Sequence, residues 1–240
     1  MNNAVVIIPT YNEIDSIAEA IRRVHDVRPD IDILVVDDNS PDGTGALVDD
    51  LASADPRVHV LHRASKDGLG RAYLAGFAWA LGADYERIIE MDADGSHPAH
   101  SLDAMLALSQ TADLVIGSRY VAGGATRGWP AHRKLLSRAG NAYVRALFGW
   151  SIHDATAGYR VYRASILRQI DLDDVTARGF AFQVEMTRRV LEAGGVIAEH
   201  PITFTEREAG SSKMSAGIIA EAFVTSTRAA LEHRRTRGAA

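Results

Sequence analysis

Two aspartates one residue apart, Asp92 and Asp94, are the strongest chemical signal in the sequence. They follow the run IIEM, which has the length and apolarity of a buried strand. Two carboxylates at a strand end can share a hard divalent cation, because Mg²⁺ and Mn²⁺ prefer oxygen ligands and commonly bridge to substrate phosphates. A metal so placed stabilises a departing diphosphate. The alternative is a turn that caps the next helix, since Asp is common at such turns.

Polar side chains also follow the first two apolar runs. Tyr11 and Glu13 lie in PTYNE, and Asp37 and Asp38 open the stretch DDNSPDGT. In a functional interpretation, Asp38 accepts hydrogen bonds from a nucleobase or ribose, and Tyr11 offers its ring to a base. In a structural interpretation, Asp and Asn form turns or caps, and the charge of Glu13 is favourable near a helix start. The residues alone leave both interpretations open.

Basic side chains supply candidates for binding an anion. Arg119 directly follows a predicted strand, and Arg207 and Lys213 lie in the Gly/Ser-containing stretch EREAGSSK. The arginine fork matches phosphate, and lysine presents a point charge. We therefore favour phosphate binding for these three residues, whereas Arg127 and Lys134 are expected on a solvated face.

The elements that must position these side chains alternate along the first half of the chain. Short apolar runs predict strands over 5–8, 33–36, 58–61, 87–91 and 114–117, and stretches with helical periodicity separate them. Strands that are apolar on both faces predict a parallel sheet covered by helices on both sides. In such α/β sheets ligands bind beyond the carboxyl ends of the strands. The chemical residues should therefore meet at one crevice.

The second half is less regular. Residues 120–136 predict a long surface loop that leads into a helix, with helices over 135–148, 163–170 and 179–193 and a strand near 196–205. The stretch GLGRA is not a dinucleotide fingerprint, because Tyr73 occupies the third glycine position. Gly70 and Gly76 are instead expected to let a helix pack closely on the sheet. Without a repeat or linker, we expect one domain over 1–240, with a C-terminal helix and a basic tail from about 216.

The composition excludes several classes of protein. The 240 residues are 47% hydrophobic and 24% charged, with a net charge of −5 from 26 basic and 31 acidic residues, and there is no cysteine. The balance is that of a globular protein, and its net negative charge argues against nucleic acid as a partner. A cysteine nucleophile and thiolate metal sites are excluded. Apolar runs are far shorter than the roughly 20 residues of a spanning helix, and the N-terminus does not resemble a signal peptide, so we expect a cytoplasmic protein.

Seven motifs together resemble those of family 2 glycosyltransferases. PTYNE, VVDDNSPDGT, GLGRA, MDADGSHP, GSRY, DATAGYR and REAGSSK occur in that order over residues 4–215, nearly the whole chain. Within that family the chain is similar to the polyprenol monophosphomannose synthases of the dolichyl-phosphate mannose synthase group. The resemblance implies a GT-A type, Rossmann-like α/β fold with a mostly parallel sheet. It also implies a GDP-mannose donor, a polyprenyl phosphate acceptor and Mg²⁺ or Mn²⁺.

The resemblance also assigns roles to individual residues. The nucleoside would be held by Pro9, Tyr11, Glu13, Val36 and Asp38. The diphosphate and the metal would be held by Asp92, Ala93 and Asp94. Arg119 and Arg133 would meet the acceptor phosphate and the transferred sugar, and Arg207 and Lys213 would close over the donor diphosphate. Ser96 stands where several relatives place Gln, so the third metal ligand is either Ser96 or water.

This assignment needs no general base, because a monoester phosphate, with a second pKa of about 6, is already largely dianionic at neutral pH. Direct displacement at the anomeric carbon would invert its configuration. His97 and His153 have no evident partner and are expected to be structural. Three alternatives stay open: a UDP-glucose donor with the same fold, a sugar-phosphate nucleotidyltransferase, and a non-catalytic nucleotide-binding module.

The acceptor implied by the resemblance is a lipid, although no membrane span is predicted. We therefore expect peripheral contact with the cytoplasmic face of a membrane, with a separate membrane anchor protein as a further partner to consider. The apolar side of the predicted helix over 216–231, followed by a basic tail, is either a core element or a segment lying on an anionic leaflet.

Overall fold

The computed structural model describes residues 3–177, 179–206 and 227. The strands are β1 Ala4–Thr10, β2 Asp32–Asp37, β3 Val58–His62, β4 Arg87–Glu90, β5 Leu114–Ser118, β6 Ala125–Arg127, β7 Arg160–Arg163, β8 Ile197–Pro201 and β9 Thr203–Thr205. The helices are α1 Ile17–Val27, α2 Thr44–Ala54, α3 Leu69–Gly82, α4 Leu102–Leu108, α5 Ala131–Phe148, α6 Ala164–Leu167 and α7 Gly179–Glu192. No helix in these ranges is long and apolar enough to cross a bilayer.

Within the described residues, seven strands form one sheet in the order β3-β2-β1-β4-β7-β5-β8. Strand β1 pairs in parallel with β2 and β4, β2 pairs in parallel with β3, and β5 pairs in parallel with β8. Strand β7 alone in this sheet runs antiparallel to its neighbours, β4 and β5. The carboxyl ends of β1, β2, β4 and β5 therefore share one edge of the sheet.

Helices cover both faces of the sheet, as the sequence predicts. On one face Val5 and Ile7 of β1 pack in a core with Phe77 of α3. On the other, Val6 of β1 packs in a second core with Ile17 of α1. Each apolar side chain removed from water contributes about 1.5–3 kcal/mol, so burial on two faces explains why these strands are apolar throughout. The α/β class with a mostly parallel sheet is confirmed.

The sequence interpretation was wrong around residue 160. The helix expected over 163–170 is the shorter α6, and the unpredicted strand β7 precedes it. Strand β7 was not predicted because it begins with Arg160. This side chain is fully buried and donates hydrogen bonds to the carbonyl oxygens of Ala155 (2.7 Å), Ala157 (2.7 Å) and Gln183 (3.0 Å). A guanidinium that is hydrogen-bonded in this way can lie inside a sheet. In the sequence alone, however, the arginines of RVYR indicate a surface segment.

The segment 120–136 is also more ordered than a surface loop. It contains β6, which pairs in parallel with β9 and so forms a second, two-stranded sheet. The single strand expected near 196–205 is therefore two strands, β8 and β9, that belong to different sheets. Trp129, between β6 and α5, is buried, and α5 begins at Ala131, directly after Pro130.

The expected close packing of α3 on the sheet is confirmed at both glycines. A Cβ atom on Gly76 would lie 2.7 Å from Ile7 Cγ2, and one on Gly70 would lie 2.9 Å from Phe182 Cδ2. The expected helix and basic tail from about 216 lie outside the described residues, except that Thr227 Oγ1 is hydrogen-bonded to Tyr143 of α5 at 2.7 Å. The single-domain organisation over 1–240 stays a prediction.

Replacing Gly76 by Ala should lower the free energy of unfolding by about 1–2 kcal/mol. Overpacking a buried site costs about 1–3 kcal/mol, which outweighs the gain of up to about 1 kcal/mol in helix propensity. Gly140→Ala is the matched control, because Gly140 is inside α5 and has no atom within 4 Å of a new Cβ. That control should gain about 0.5–1 kcal/mol. Urea denaturation measures both changes, and equal effects would contradict the packing argument.

Candidate functional site

The turn after β4 holds the two aspartates in a fixed loop. The backbone N–H of Ser96 donates to Asp94 Oδ1 at 3.0 Å, and the backbone N–H of Asp92 donates to His97 Nδ1 at 3.0 Å. Gly95 has a φ of 74°, a conformation that a residue with a side chain rarely adopts. The hydroxyl of Tyr73 reaches Asp92 Oδ1 at 3.5 Å. The sequence predicted the carboxylate pair and placed His97 in the same segment without a partner, but it did not predict Tyr73 beside them.

The side chains of this turn fit a hard divalent cation. Asp92 and Asp94 supply carboxylate oxygens, and Ser96 Oγ is a buried oxygen with no hydrogen-bond partner among the described residues. No group of three or more His, Asp or Glu side chains in the described part of the chain could enclose a metal. A cation here would therefore keep coordination positions for water and phosphate oxygens, as Mg²⁺ and Mn²⁺ commonly do. Coordination by Ser96 stays a prediction.

A buried polar layer lies directly beneath the turn. Gln183 Nε2 donates to Glu90 Oε2 at 2.7 Å, and Glu90 Oε1 is buried without a partner among the described residues. Burial raises the pKa of Glu90 to about 7, although the positive charge of Arg160 opposes the shift. A buried carboxyl group was not predicted here, because Glu90 directly follows the apolar pair Ile88 and Ile89 and no local signal marks its chemistry.

The ends of β1 and β2 form the second part of the site. Pro9 and Val36 are paired across these neighbouring strands, and Lys66 Nζ lies 3.8 Å from the centre of the Tyr11 ring. Asp38 Oδ1 accepts a hydrogen bond from Arg63 Nη1 at 2.5 Å. Burial raises the pKa of Asp38, although Arg63 acts in the opposite direction. Neither Arg63 nor Lys66 was predicted, because both lie after β3, to which the sequence assigned no chemistry.

The neighbouring acidic residues accept hydrogen bonds within the turns in which they lie. Asp37 accepts from the Thr10 hydroxyl (3.0 Å) and from the backbone N–H (3.0 Å) and hydroxyl (2.6 Å) of Ser40. Asp42 accepts from the backbone N–H of Thr44 at 2.9 Å. Glu13 Oε2 accepts from the Ser16 hydroxyl at 2.9 Å. These bonds fix the loops that carry Tyr11 and Asp38.

Arg119, for which the sequence predicts phosphate binding, is paired with a carboxylate. Its Nε and Nη2 donate to Asp154 Oδ2 (2.7 Å) and Oδ1 (2.6 Å), and Nη2 also donates to Thr156 Oγ1 at 3.0 Å. Both charged groups of this pair are buried. The paired carboxylate compensates the charge of Arg119 and occupies its Nε and Nη2, so an anion there would meet the Nη1 side of a positioned guanidinium. Asp154 belongs to DATAGYR, a motif noted in the sequence without a role for its aspartate.

Arg133 is held in a similar way, and one indole ring joins it to Arg119. Its Nη1 donates to both carboxylate oxygens of Glu206, at 2.6 and 2.7 Å. The centre of the Trp129 ring lies 4.1 Å from Arg133 Cζ and 5.3 Å from Arg119 Cζ, within the range of cation–π attraction. The two arginines that the resemblance assigns to one anion are thus brought together by Trp129. Neither Trp129 nor Glu206 was predicted.

A cavity of about 570 Å³ opens beside Arg119, between the segment that follows β5 and helix α5. Arg138, Asn141 and Arg145 of α5 are among the residues that line it. Asn141 Nδ2 also donates to Thr156 Oγ1 at 2.9 Å, which ties α5 to the Arg119–Asp154 pair. Arg207 and Lys213, the remaining predicted site residues, lie outside the described residues.

Comparison with known proteins finds two curated relatives over most of the chain. The chain is 55% identical over 228 residues to an undecaprenyl-phosphate mannosyltransferase of Micrococcus luteus, a match that covers 95% of this chain and 94% of that protein. It is 56% identical over 219 residues to a polyprenol monophosphomannose synthase of Mycolicibacterium smegmatis, a match that covers 90% and 83%.

Solved structures with the same fold are more distant in sequence. A mannosyltransferase of Pyrobaculum calidifontis in complex with GDP-Man and Mn²⁺ matches with a TM-score of 0.61 and 18% identity, over 94% of this chain and 64% of that one. A glucosyl-3-phosphoglycerate synthase of Mycobacterium tuberculosis in complex with Mn²⁺ and UDP-glucose matches with a TM-score of 0.62 and 18% identity, over 93% and 77%. These likenesses confirm the predicted GT-A type fold. The model of glycosyl transferase family 2 matches residues 5–171, and the chain therefore belongs to this family.

Proposed function

We propose that this enzyme transfers mannose from GDP-mannose to the phosphate of a polyprenyl monophosphate. The observation that carries the proposal is the arrangement at one sheet edge: the Asp92–Asp94 turn after β4, and two positioned guanidinium groups, Arg119 and Arg133, beyond β5. The first suits a donor diphosphate and the second suits an acceptor phosphate. The two curated relatives, named for mannosyl transfer to polyprenyl phosphates, support mannose as the transferred sugar and a polyprenyl phosphate as the acceptor.

The donor would bind across the ends of β1, β2 and β4. Tyr11 would offer its ring face to the base, and Asp38, held by Arg63, would accept hydrogen bonds from the nucleoside. Pro9 and Glu13 would complete this surface, and the buried side chains of Val36 and Ala93 would pack beneath it. Asp92 and Asp94 would hold Mg²⁺ or Mn²⁺, which when bound supplies Lewis-acid neutralisation of the diphosphate charge. Arg207 and Lys213 would add cationic groups over the same diphosphate.

The acceptor phosphate would reach Arg119 through the cavity beside α5. Arg119 and Arg133 would orient the phosphate so that one of its oxygens faces the anomeric carbon of mannose. That oxygen would form the new bond while the bond from carbon to the diphosphate breaks and GDP leaves. The enzyme's main task is to hold two anions together, because the dianionic phosphate needs no deprotonation.

Helix α5 supports contact with a membrane surface. It carries Arg133, Lys134, Arg138 and Arg145 and no acidic residue, and it exposes 71% of Leu135 and 41% of Leu136. Cations beside exposed leucines are typical of a helix that lies on an anionic leaflet. The cytoplasmic leaflet carries such lipids, so we place the enzyme on that face. The polyprenyl tail of the acceptor would then stay in the bilayer while its phosphate enters the cavity.

Transfer of label from GDP-mannose to polyprenyl phosphate, with Mg²⁺ or Mn²⁺ present, should be lost when the metal is chelated. Asp92→Asn and Asp94→Asn should each lower the turnover number about 100-fold or more, because an electrostatic stabiliser of the leaving diphosphate is removed. Asp103→Asn is the control, since Asp103 lies on the surface of α4 in an ion pair with Arg28 and should change little. Extraction of labelled lipid measures the reaction.

The same assay separates the competing donors. If label moves only from UDP-glucose, the donor is UDP-glucose and the transferred sugar is glucose. Release of diphosphate from a nucleoside triphosphate and a sugar phosphate would indicate a nucleotidyltransferase. Nucleotide binding without any transfer would indicate a binding module.

The product should carry mannose in the β configuration, opposite to that of the α-linked donor. A single displacement by the phosphate oxygen inverts the anomeric carbon. The one-bond coupling between C1 and H1 in the NMR spectrum of the product distinguishes the anomers, and an α-linked product would contradict direct displacement.

Replacing Leu135 and Leu136 together by Ser should weaken binding to vesicles that contain anionic phospholipid by about 10-fold or more. Each buried methylene contributes about 0.8 kcal/mol, so loss of two leucine side chains removes a substantial share of the binding energy. Val196→Ser is the matched control, because Val196 is 56% exposed but lies just before β8. Vesicle flotation measures binding. If flotation is unchanged, membrane contact is better explained by a separate anchor protein or by the segment after residue 216.

A further inference from the structure

The imidazole of His97 is buried directly against the metal-binding turn. Only 4% of the residue is exposed. Its ring stacks on Tyr159 with the centroids 5.1 Å apart and the planes at 11°, and it makes a T-shaped contact with Phe204, with the centroids 5.6 Å apart and the planes at 76°. The sequence alone suggested a structural histidine with no identified partner, but the aromatic rings on these two sides hold the imidazole in one orientation.

His97 contacts the backbone of Asp92 and lies close to its carboxylate. Nδ1 accepts a hydrogen bond from the Asp92 backbone N–H at 3.0 Å, and Nε2 lies 3.8 Å from Asp92 Oδ2. In a neutral imidazole one nitrogen accepts and the other carries the proton. Because Nδ1 accepts here, the proton is on Nε2, the nitrogen nearest to the carboxylate. The backbone N–H of Asp92 therefore sets the tautomer of the His97 ring, and the same ring lies near the Asp92 side chain.

We propose that His97 is a positioning residue for the metal-binding carboxylate: its ring fixes the Asp92 backbone through Nδ1, and its Nε2, 3.8 Å from Asp92 Oδ2, acts on the carboxylate electrostatically without a direct hydrogen bond. This inference rests on the proposed function, in which Asp92 holds a divalent cation. Groups that orient a ligand without touching the metal commonly change metal affinity or activity by 10–100-fold when removed. His97 makes no direct contact with substrate in this proposal.

The packing of His97 also connects the metal side of the site to its arginine side. The Phe204 ring that contacts His97 also contacts Trp129, with centroids 5.3 Å apart, and Trp129 stacks on Arg133. A variant that disturbed this packing could therefore change both parts of the site. The test therefore compares a ring that lacks both nitrogens with side chains that restore one polar group at a time.

Three variants separate the roles of the two nitrogens. His97→Phe keeps a ring but removes both polar atoms. His97→Asn can place an amide oxygen where Nδ1 accepts the Asp92 N–H, and His97→Gln can place an amide N–H near the position of Nε2. His100→Asn is the matched control, because His100 is an exposed histidine three residues further along the same segment.

Binding of Mn²⁺ should respond to these variants independently of turnover. With the whole protein and Mn²⁺, alone and with GDP present, electron paramagnetic resonance should give a dissociation constant 10–100-fold higher for His97→Phe than for the unaltered protein. His97→Asn and His97→Gln should each recover part of the loss, and His100→Asn should bind normally. Thermal unfolding identifies any variant that does not fold, in which case the two amide variants carry the comparison. The turnover number should fall in the same order, while the KM for polyprenyl phosphate stays nearly constant.

Normal Mn²⁺ affinity in folded His97→Phe would overturn the proposal. It would also be overturned if the KM for polyprenyl phosphate rose by the same factor as the dissociation constant for Mn²⁺. Recovery by neither amide variant would show that packing, not the ring nitrogens, is what Asp92 requires. If the unaltered protein binds Mn²⁺ but transfers no mannose, the proposed function fails while the role of His97 is still decided by the binding data. Absence of Mn²⁺ binding by the unaltered protein, with or without GDP, would overturn both.

Discussion

Burial of the central strands on both faces is the constraint from which the site follows. Because α1 and α4 cover one face and α3 and α7 cover the other, the strands can carry few polar side chains along their length. Hydrogen-bonding and charged groups are then concentrated where the strands end. The parallel directions of β1, β2 and β4 bring three such ends side by side. The turn containing Asp92 and the loops containing Tyr11 and Asp38 are neighbours for this reason.

Paired charges are the second organising feature. Asp38, Arg119 and Arg133 each have an oppositely charged partner: Arg63, Asp154 and Glu206. A buried charge without a partner would be costly, and a pair repays that cost only with good geometry and additional hydrogen bonds. The bidentate contact of Arg119 with Asp154 and the stacking of Arg133 on Trp129 meet this condition. The side chains that would meet anions are therefore held in place before any anion arrives.

Much of the fold could be predicted because its signals are local. The strands of the first half are short apolar runs, and the helices between them have clear periodicity, so their order already defines an α/β sheet. The antiparallel strand β7 could not be predicted, since Arg160 reads as a surface residue until the carbonyl groups that surround it are known. Strand β6 has three residues, two of them exposed, and it exists only because β9 pairs with it.

The sequence by itself determined the fold class, the carboxylate pair at the end of β4 and the chain segments that surround it, since each depends on residues close together in the chain. Only the tertiary structure decided which groups hold those side chains. Arg63 reaches Asp38 across 25 residues, Arg119 reaches Asp154 across 35 and Arg133 reaches Glu206 across 73. Nothing in local periodicity encodes such pairs, because they form when separate strands and helices pack and the burial of each charge then requires its partner.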